Sequence, residues 1–137
     1  MADSSEFESI CPYNDAEAVE ALNKVANRPA VLAISEYLFP DEPITFLRNA
    51  LKSVHNIDEF QEIVMNKAVS WVMDHTIHNF SYDGISYIKE LKGKFLAMSN
   101  HRDIILDPAI TQQVLFRNGI PMTEICVGDN LIKQSKT

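Results

Sequence analysis

The sequence predicts an α+β protein in which a helical first half, residues 14–77, precedes a small β-β-α-β unit in residues 80–133. Before Asn79, apolar residues recur at the three-to-four-residue spacing of amphipathic helices. Beyond it, aromatic and β-branched residues gather in short runs separated by polar turns, which is typical of strands. The 137 residues suit a single domain, and we find no internal repeat or linker that would divide residues 1–137.

The first half is predicted to contain four helices. Asn14 or Asp15 caps the first, in "NDAEAVEALNKVANR", and Pro29 stops or bends it. Two short helices follow in "RPAVLAISEYLFPDEP" and "PITFLRNALKSV". Asn56 with Glu59 has the capping-box spacing, so a longer helix is expected from there to about Ile77.

The second half is predicted to contain three strands and one helix. The runs "FSYDGISYI" and "FLAMSN" have strand length and composition, and the polar segment "KELKGK" separates them. Asp107 as cap and Pro108 in the first turn predict a helix that Gly119 ends. The segment "TEICVGDN" predicts the last strand.

Composition and charge limit the class of protein. A formal net charge of −7 would repel a phosphate backbone, which argues against a nucleic-acid partner. Cys11 and Cys126 have neither metal-ligand nor redox spacing, so we expect reduced thiols in a cytoplasmic protein. The acidic start is unlike a signal peptide, and the most apolar early segment is about half the ~20 residues that span a bilayer.

A cluster of polar residues follows the predicted strand "FLAMSN". His101 titrates near neutral pH and could accept a proton from a substrate hydroxyl if a carboxylate held its other ring nitrogen. Asp103 and Asp107 are the candidate carboxylates. Arg102 adds a fixed positive charge beside a helix N-terminus, which suits a phosphate or carboxylate group on a substrate.

The segment "SNHRDIILDPA" resembles the histidine-aspartate block of the glycerolipid acyltransferases, the lysophosphatidate and glycerol-phosphate acyltransferase superfamily. The flanking segments "DGISYIKELKGKFLAMSN" and "EICVGDNLIK" also resemble the strands on either side of that block. The resemblance covers roughly residues 80–133 and implies the start of an acyltransferase α/β domain.

The resemblance implies an activity and its residues. His101 would be the general base that activates a glycerol-phosphate-type hydroxyl, an aspartate would orient it, and Arg102 would bind substrate. The acyl donor would be a thioester of coenzyme A or acyl carrier protein, used as co-substrate in phospholipid synthesis without a bound cofactor. The resemblance is also compatible with a peripheral contact between the complete protein and the inner face of the membrane.

The sequence departs from the family pattern in two respects. Five residues instead of the usual four separate His101 from Asp107, so Asp107 is preferred as the partner and Asp103 remains the alternative. The family's later glycine-arginine and "FPEG"-like segments do not occur before Thr137. We therefore expect the N-terminal part of a longer acyltransferase, inactive by itself.

A second hypothesis needs no catalysis. The helical first half could be a partner-binding module, with the histidine-aspartate cluster serving only to cap a helix. A metal site is not predicted, because His75 and His78 in "DHTIH" have no third ligand at a suitable spacing.

Overall fold

The computed structural model describes residues 11–100 and 102–126 of the chain. The regular secondary structure of these residues is helical. Their bounds are α1 (Asp15–Ala26), α2 (Ala30–Leu38), α3 (Phe46–Ser53), α4 (Ile57–Phe60), a π-helical segment (Gln61–Met65), α5 (Asn66–Thr76), α6 (Ile85–Glu90) and α7 (Leu106–Arg117).

The four helices predicted in the first half are confirmed. Asn14 caps α1 in a full capping box: its side-chain oxygen accepts from the Glu17 N–H at 3.0 Å, and the Glu17 carboxylate accepts from the Asn14 N–H at 2.9 Å. Asn56 caps α4, accepting from the Glu59 N–H at 2.8 Å, while the Glu59 carboxylate accepts from the His55 N–H at 2.9 Å instead of from the Asn56 N–H. From α4 the helix runs on without a break to Thr76, close to the predicted end, but it passes through the π segment on the way.

The hydrophobic core lies within this helical first half. Its buried members come from α1, α2, α3, the π segment, α5 and the residue after α2: Ala26, Val31, Phe39, Leu47, Ala50, Leu51, Val64 and Ala68. Ser35 is fully buried beside them, and its hydroxyl oxygen accepts from the Leu47 N–H at 3.2 Å. That bond satisfies a donor in the first turn of α3 and joins α2 to α3.

The predicted α+β class is wrong for the part of the chain that the structure describes. The expected strand "FSYDGISYI" overlaps α6, which begins after Gly84, a glycine with a left-handed φ of 78°. The expected strand "FLAMSN" is irregular and exposed along its length, and no strand forms in residues 123–126 of the third segment. The rest of that segment, 127–130, lies outside the described residues.

The reason for this error is that a strand depends on pairing as well as on composition. Aromatic and β-branched residues favour a pleated surface only when a neighbouring strand and a packed face are available. Residues 89–100 are all exposed, so no such face covers them among the described residues. In α6, Ile85 and Ile88 are half-buried at helical spacing, which favours a helix over the predicted strand.

Helix α7 packs against α5 and connects the second half of the chain to the helical first half. Its buried residues are Gln113 and Leu115, and Met73 is buried on α5. The predicted end at Gly119 is confirmed within two residues: α7 ends at Arg117, and Gly119 has a φ of 67°. Among the described residues no helix is both long and apolar enough to cross a bilayer.

Candidate functional site

The polar cluster lies on the loop that leads into α7. The structure describes Arg102, Asp103 and Asp107, whereas His101 lies outside the described residues. Arg102 and Asp103 are exposed, and Asp107 is half-buried in the first turn of α7.

Asp103 caps α7. Its carboxylate oxygen Oδ1 accepts from the Leu106 N–H at 2.7 Å and from the Ile105 N–H at 2.8 Å, two donors that the start of a helix leaves without an intrahelical partner. These bonds, that of Leu106 first, lower the pKa of Asp103 below its usual value, although the nearby Asp107 carboxylate opposes the shift. Asp103 is therefore ionised at neutral pH.

Asp107 does not have the capping position that the sequence predicted for it. The helix begins at Leu106, one residue before Asp107, which places Asp107 inside the first turn. From there its oxygen Oδ2 reaches back and accepts from the Arg102 N–H at 2.6 Å and the Asp103 N–H at 3.1 Å. The carboxylate thus folds the loop back onto the helix, and Arg102 is the residue that directly follows His101 in the chain.

Together, the hydrogen bonds of the two aspartates close the loop of residues 102–107, which we call the closed loop. Asp103 binds forward to the helix start, and Asp107 binds back to the loop, so residues 102–107 are held by four hydrogen bonds. Both charges also lie at the positive end of the α7 dipole, where negative charge is stabilised. A preformed loop of this kind can hold neighbouring side chains in a fixed geometry, which a catalytic site requires.

Arg102 could bind an anionic substrate only through its side chain. The backbone donors of Ile105 and Leu106, which would form an anion site at the helix N-terminus, are already bonded to Asp103. The two carboxylates there would also repel a phosphate. Recognition of a substrate phosphate would therefore depend on the exposed Arg102 guanidinium, with its forked donors.

A polar contact that the sequence analysis missed links α7 to α5. The Ser70 hydroxyl oxygen on α5 accepts from the Gln113 side-chain amide at 2.8 Å and from the Arg117 guanidinium at 3.1 Å. The spacing of Gln113 and Arg117 places them on one face of α7. That spacing was the available signal, but the partner, 43 residues away from Gln113, could not be found from it.

Gln112, the residue just before Gln113 in α7, makes a separate contact with the segment that follows the helix. Gln112 donates from its amide to the Thr123 hydroxyl at 2.8 Å and carbonyl at 3.0 Å, and its own oxygen accepts from the Thr123 N–H at 2.8 Å. These bonds hold the segment after α7 against that helix. Gln113 thus holds α7 on α5, and Gln112 holds the segment after α7 on that helix.

The histidines of "DHTIH" belong to a different environment. The His75 ring stacks on Trp71 at 4.4 Å between centroids, and Trp71 makes an edge contact with Tyr37 at 5.7 Å. His75 Nδ1 also lies 2.8 Å from the Trp71 carbonyl oxygen. No group of three metal-binding side chains forms within residues 11–100 and 102–126.

The sequence matches no protein-family model, no curated protein and no solved structure.

Proposed function

We propose that this chain contributes the histidine block of an acyltransferase that moves an acyl group from a coenzyme A or acyl-carrier-protein thioester to a glycerol-phosphate-type hydroxyl in phospholipid synthesis. His101 acts as the general base, Asp107 orients its ring, with Asp103 as the alternative, and Arg102 binds the acidic group of the acceptor. The proposal keeps the chemistry that the resemblance implies, whereas the flanking strands that the resemblance also implies do not form among the described residues.

The reaction balances in one transfer. A ring nitrogen of His101 accepts the proton of the acceptor hydroxyl while the hydroxyl oxygen attacks the thioester carbonyl carbon. The tetrahedral intermediate then breaks its carbon-sulfur bond, and the thiolate takes the proton from the imidazolium to leave as a thiol. An ionised carboxylate beside the ring would stabilise the imidazolium that forms between these steps.

The observation that supports this proposal is the backward bond of Asp107. Its carboxylate accepts from the Arg102 N–H at 2.6 Å, so the aspartate of the block is held beside the loop that contains its histidine in sequence. Glu17 and Glu59 make the same backward bond at α1 and α4, but there the capping side chain is an asparagine, whereas both members of the α7 pair are carboxylates. The second carboxylate adds the negative charge that would stabilise an imidazolium.

A non-catalytic partner-binding module is the competing proposal. The aromatic group of Tyr37, Trp71 and His75 favours it, because the Tyr37 side chain is 70% exposed. Exposed aromatic side chains are common in binding surfaces. The two proposals differ in whether any thioester is consumed.

The test is thiol release from an acyl thioester, with and without a glycerol-phosphate acceptor, in a protein that contains residues 1–137. His101→Ala should lower acceptor-dependent release by about 10²–10⁴-fold, the usual worth of a general base. His78→Ala is the matched control, because His78 is an exposed histidine outside the block and should leave the rate unchanged.

The two aspartates are separated by their asparagine variants, which retain a side-chain oxygen for the backbone bonds. Asp107→Asn should lower the rate while the fold remains. If only Asp103→Asn lowers it, Asp103 is the partner of the histidine. A protein without acceptor-dependent release, or a His101→Ala variant with the full rate, would refute the acyltransferase proposal and favour the binding module.

A further inference from the structure

The contact between α5 and α7 is built around one hydroxyl oxygen. Ser70 Oγ accepts two hydrogen bonds from α7, from Gln113 at 2.8 Å and from Arg117 at 3.1 Å. The two donors lie one helical turn apart, so both approach the oxygen from the same face of α7. A shared acceptor of this kind fixes the rotation of α7 about its own axis, which apolar packing leaves less strictly defined.

Because Gln113 is buried, its hydrogen bond to Ser70 is costly to break. Gln113 is only 4% exposed, and a buried amide that loses its partner cannot regain a full bond to water. Any rotation or sliding of α7 would separate Gln113 from Ser70. The helix is therefore held in one register on α5.

The candidate loop depends on α7 for its own position. Residues 102–105 are exposed, and the four hydrogen bonds of the closed loop join it to the first turn of α7 through Asp103 and Asp107. Residues 89–100, which precede it, are exposed as well. Within the part of the chain that the structure describes, α7 is thus the packed element to which the loop is hydrogen-bonded.

We infer that Ser70 and Gln113 are positioning residues: through their hydrogen bond the helical first half sets where the loop of residues 102–107 lies. The catalytic meaning of this positioning rests on the proposed acyltransferase function, whereas the mechanical link between Ser70 and the loop does not. The inference also gives the helical first half a role, as the support of the candidate site.

The mechanical link is tested by amide hydrogen exchange of the chain, read at the Arg102 and Asp103 N–H groups. Ser70→Ala removes both bonds from α7 and should make these two amides exchange about tenfold faster. Ser70→Thr restores a hydroxyl and should return the exchange rates to those of the wild type. Ser53→Ala is the matched control, because the Ser53 hydroxyl bonds only the Ala50 carbonyl of its own helix.

A second variant keeps the test valid if Ser70→Ala does not fold. Gln113→Met removes the buried amide, fills a similar volume and leaves Arg117 on Ser70, so a smaller acceleration at Arg102 and Asp103 is expected. The reference amide is Leu47, which lies in the core and bonds Ser35. Its exchange rate should stay unchanged in each folded variant.

Each outcome decides the inference. Unchanged exchange at Arg102 and Asp103 in both variants overturns it, because the loop would then hold itself. An equal acceleration at Leu47 and at the loop also overturns it, since the effect would be global. In the thioester assay, Ser70→Ala should lower the rate of acyl transfer and Ser70→Thr should restore it. If the wild type transfers no acyl group, the proposed function fails while the link, measured by exchange, stands.

Discussion

At the residue scale, the same capping device occurs three times among the residues that the structure describes. A short polar side chain accepts from the first turn of a helix, and a carboxylate inside that turn accepts from the backbone just before it. Asn14 with Glu17 and Asn56 with Glu59 do this at α1 and α4. Asp103 with Asp107 does it at α7, with the second carboxylate one residue further along.

The third pair differs from the other two in charge. Asparagine caps α1 and α4, so each of those pairs carries one negative charge, whereas both members of the α7 pair are carboxylates. Two carboxylates in one turn repel each other, which is the opposing effect on the pKa of Asp103. Asparagine would cap α7 about as well as aspartate, so capping alone does not account for the additional charge.

The start of α7 should therefore respond to acid. The lowered pKa of Asp103 means that its bonds stabilise the fold fully above its unfolded pKa. This stabilisation is lost as the pH falls through the lower, folded pKa. In an NMR titration the Ile105 and Leu106 amide protons should move together, with a midpoint below the ordinary value of 3.8.

Asp103→Asn is the control for that titration. It keeps an oxygen acceptor and removes the ionisable group, so the pH-dependent movement of the Ile105 and Leu106 amides should disappear. Asp107→Asn should leave the movement in place and shift its midpoint further down, because the opposing charge is removed. A midpoint at or above 3.8 in the wild type would contradict the bonding of Asp103 described here.

At the element scale, the sequence was sufficient to predict the elements whose formation depends on neighbouring residues in the chain. Capping patterns and apolar spacing located α1 to α5, since a helix satisfies its backbone bonds within its own segment. The strands were wrong because pairing is not local, and the composition of "FLAMSN" carries no information about a partner. The start of α7 was misplaced by two residues because Asp103, also a good cap, was considered only as a partner of His101.

The contact that supports the candidate loop was beyond sequence reasoning for a related reason. Gln113 and Ser70 are 43 residues apart, and each is an ordinary polar residue on an otherwise amphipathic helix. Only the packing of α7 on α5 brings them together. The sequence singled out Arg102, Asp103 and Asp107 as candidate site residues, which stays a prediction, whereas the hydrogen bonds of the two aspartates in the loop required the structure.

The π segment leads to a prediction about deletion. A π turn uses one residue more than an α turn, and here the Asn66 N–H donates to the Gln61 carbonyl, five residues back. Deleting the exposed Glu62 should convert the segment into regular α-helix and keep Val64 and Ala68 on the core side. The variant should fold, with a loss of roughly 1–2 kcal/mol in the free energy of unfolding measured in urea.

The matched deletion is that of Asn49, an exposed residue in the regular helix α3. Removing one residue from an α-helix rotates everything beyond it by about 100°, which would turn Leu51 away from the core relative to Leu47. This variant should lose the cooperative unfolding transition. If the Glu62 deletion unfolds the protein as fully as the Asn49 deletion, the segment is not an inserted turn.

At the scale of the whole molecule, burial is concentrated in the first half and exposed apolar surface in the second. The core cluster lies between Ala26 and Ala68, whereas Leu96 is 79% and Met98 is 87% exposed. Most of the apolar area removed from water, and so most of the driving force for folding, belongs to residues 14–76. The second half depends on α7 for its attachment.

A chain of residues 1–78 should therefore fold without the rest. It retains every residue of the core cluster and both complete capping pairs of α1 and α4. It loses the burial of Leu115 and the bonds from α7 to Ser70, so we expect its free energy of unfolding to be lower by roughly 2–4 kcal/mol. Circular dichroism should show a helical spectrum and one cooperative thermal transition.

The complementary chain, residues 79–137, is the control, and it should show no cooperative transition, because α6 is short and α7 packs on α5, which that chain lacks. Mixing the two chains should raise the transition temperature of the first, since anything that binds the folded state stabilises it. Ser70→Ala in the first chain should weaken this effect. A first chain that melts without cooperativity would mean that α7 is part of the core and not an element attached to it.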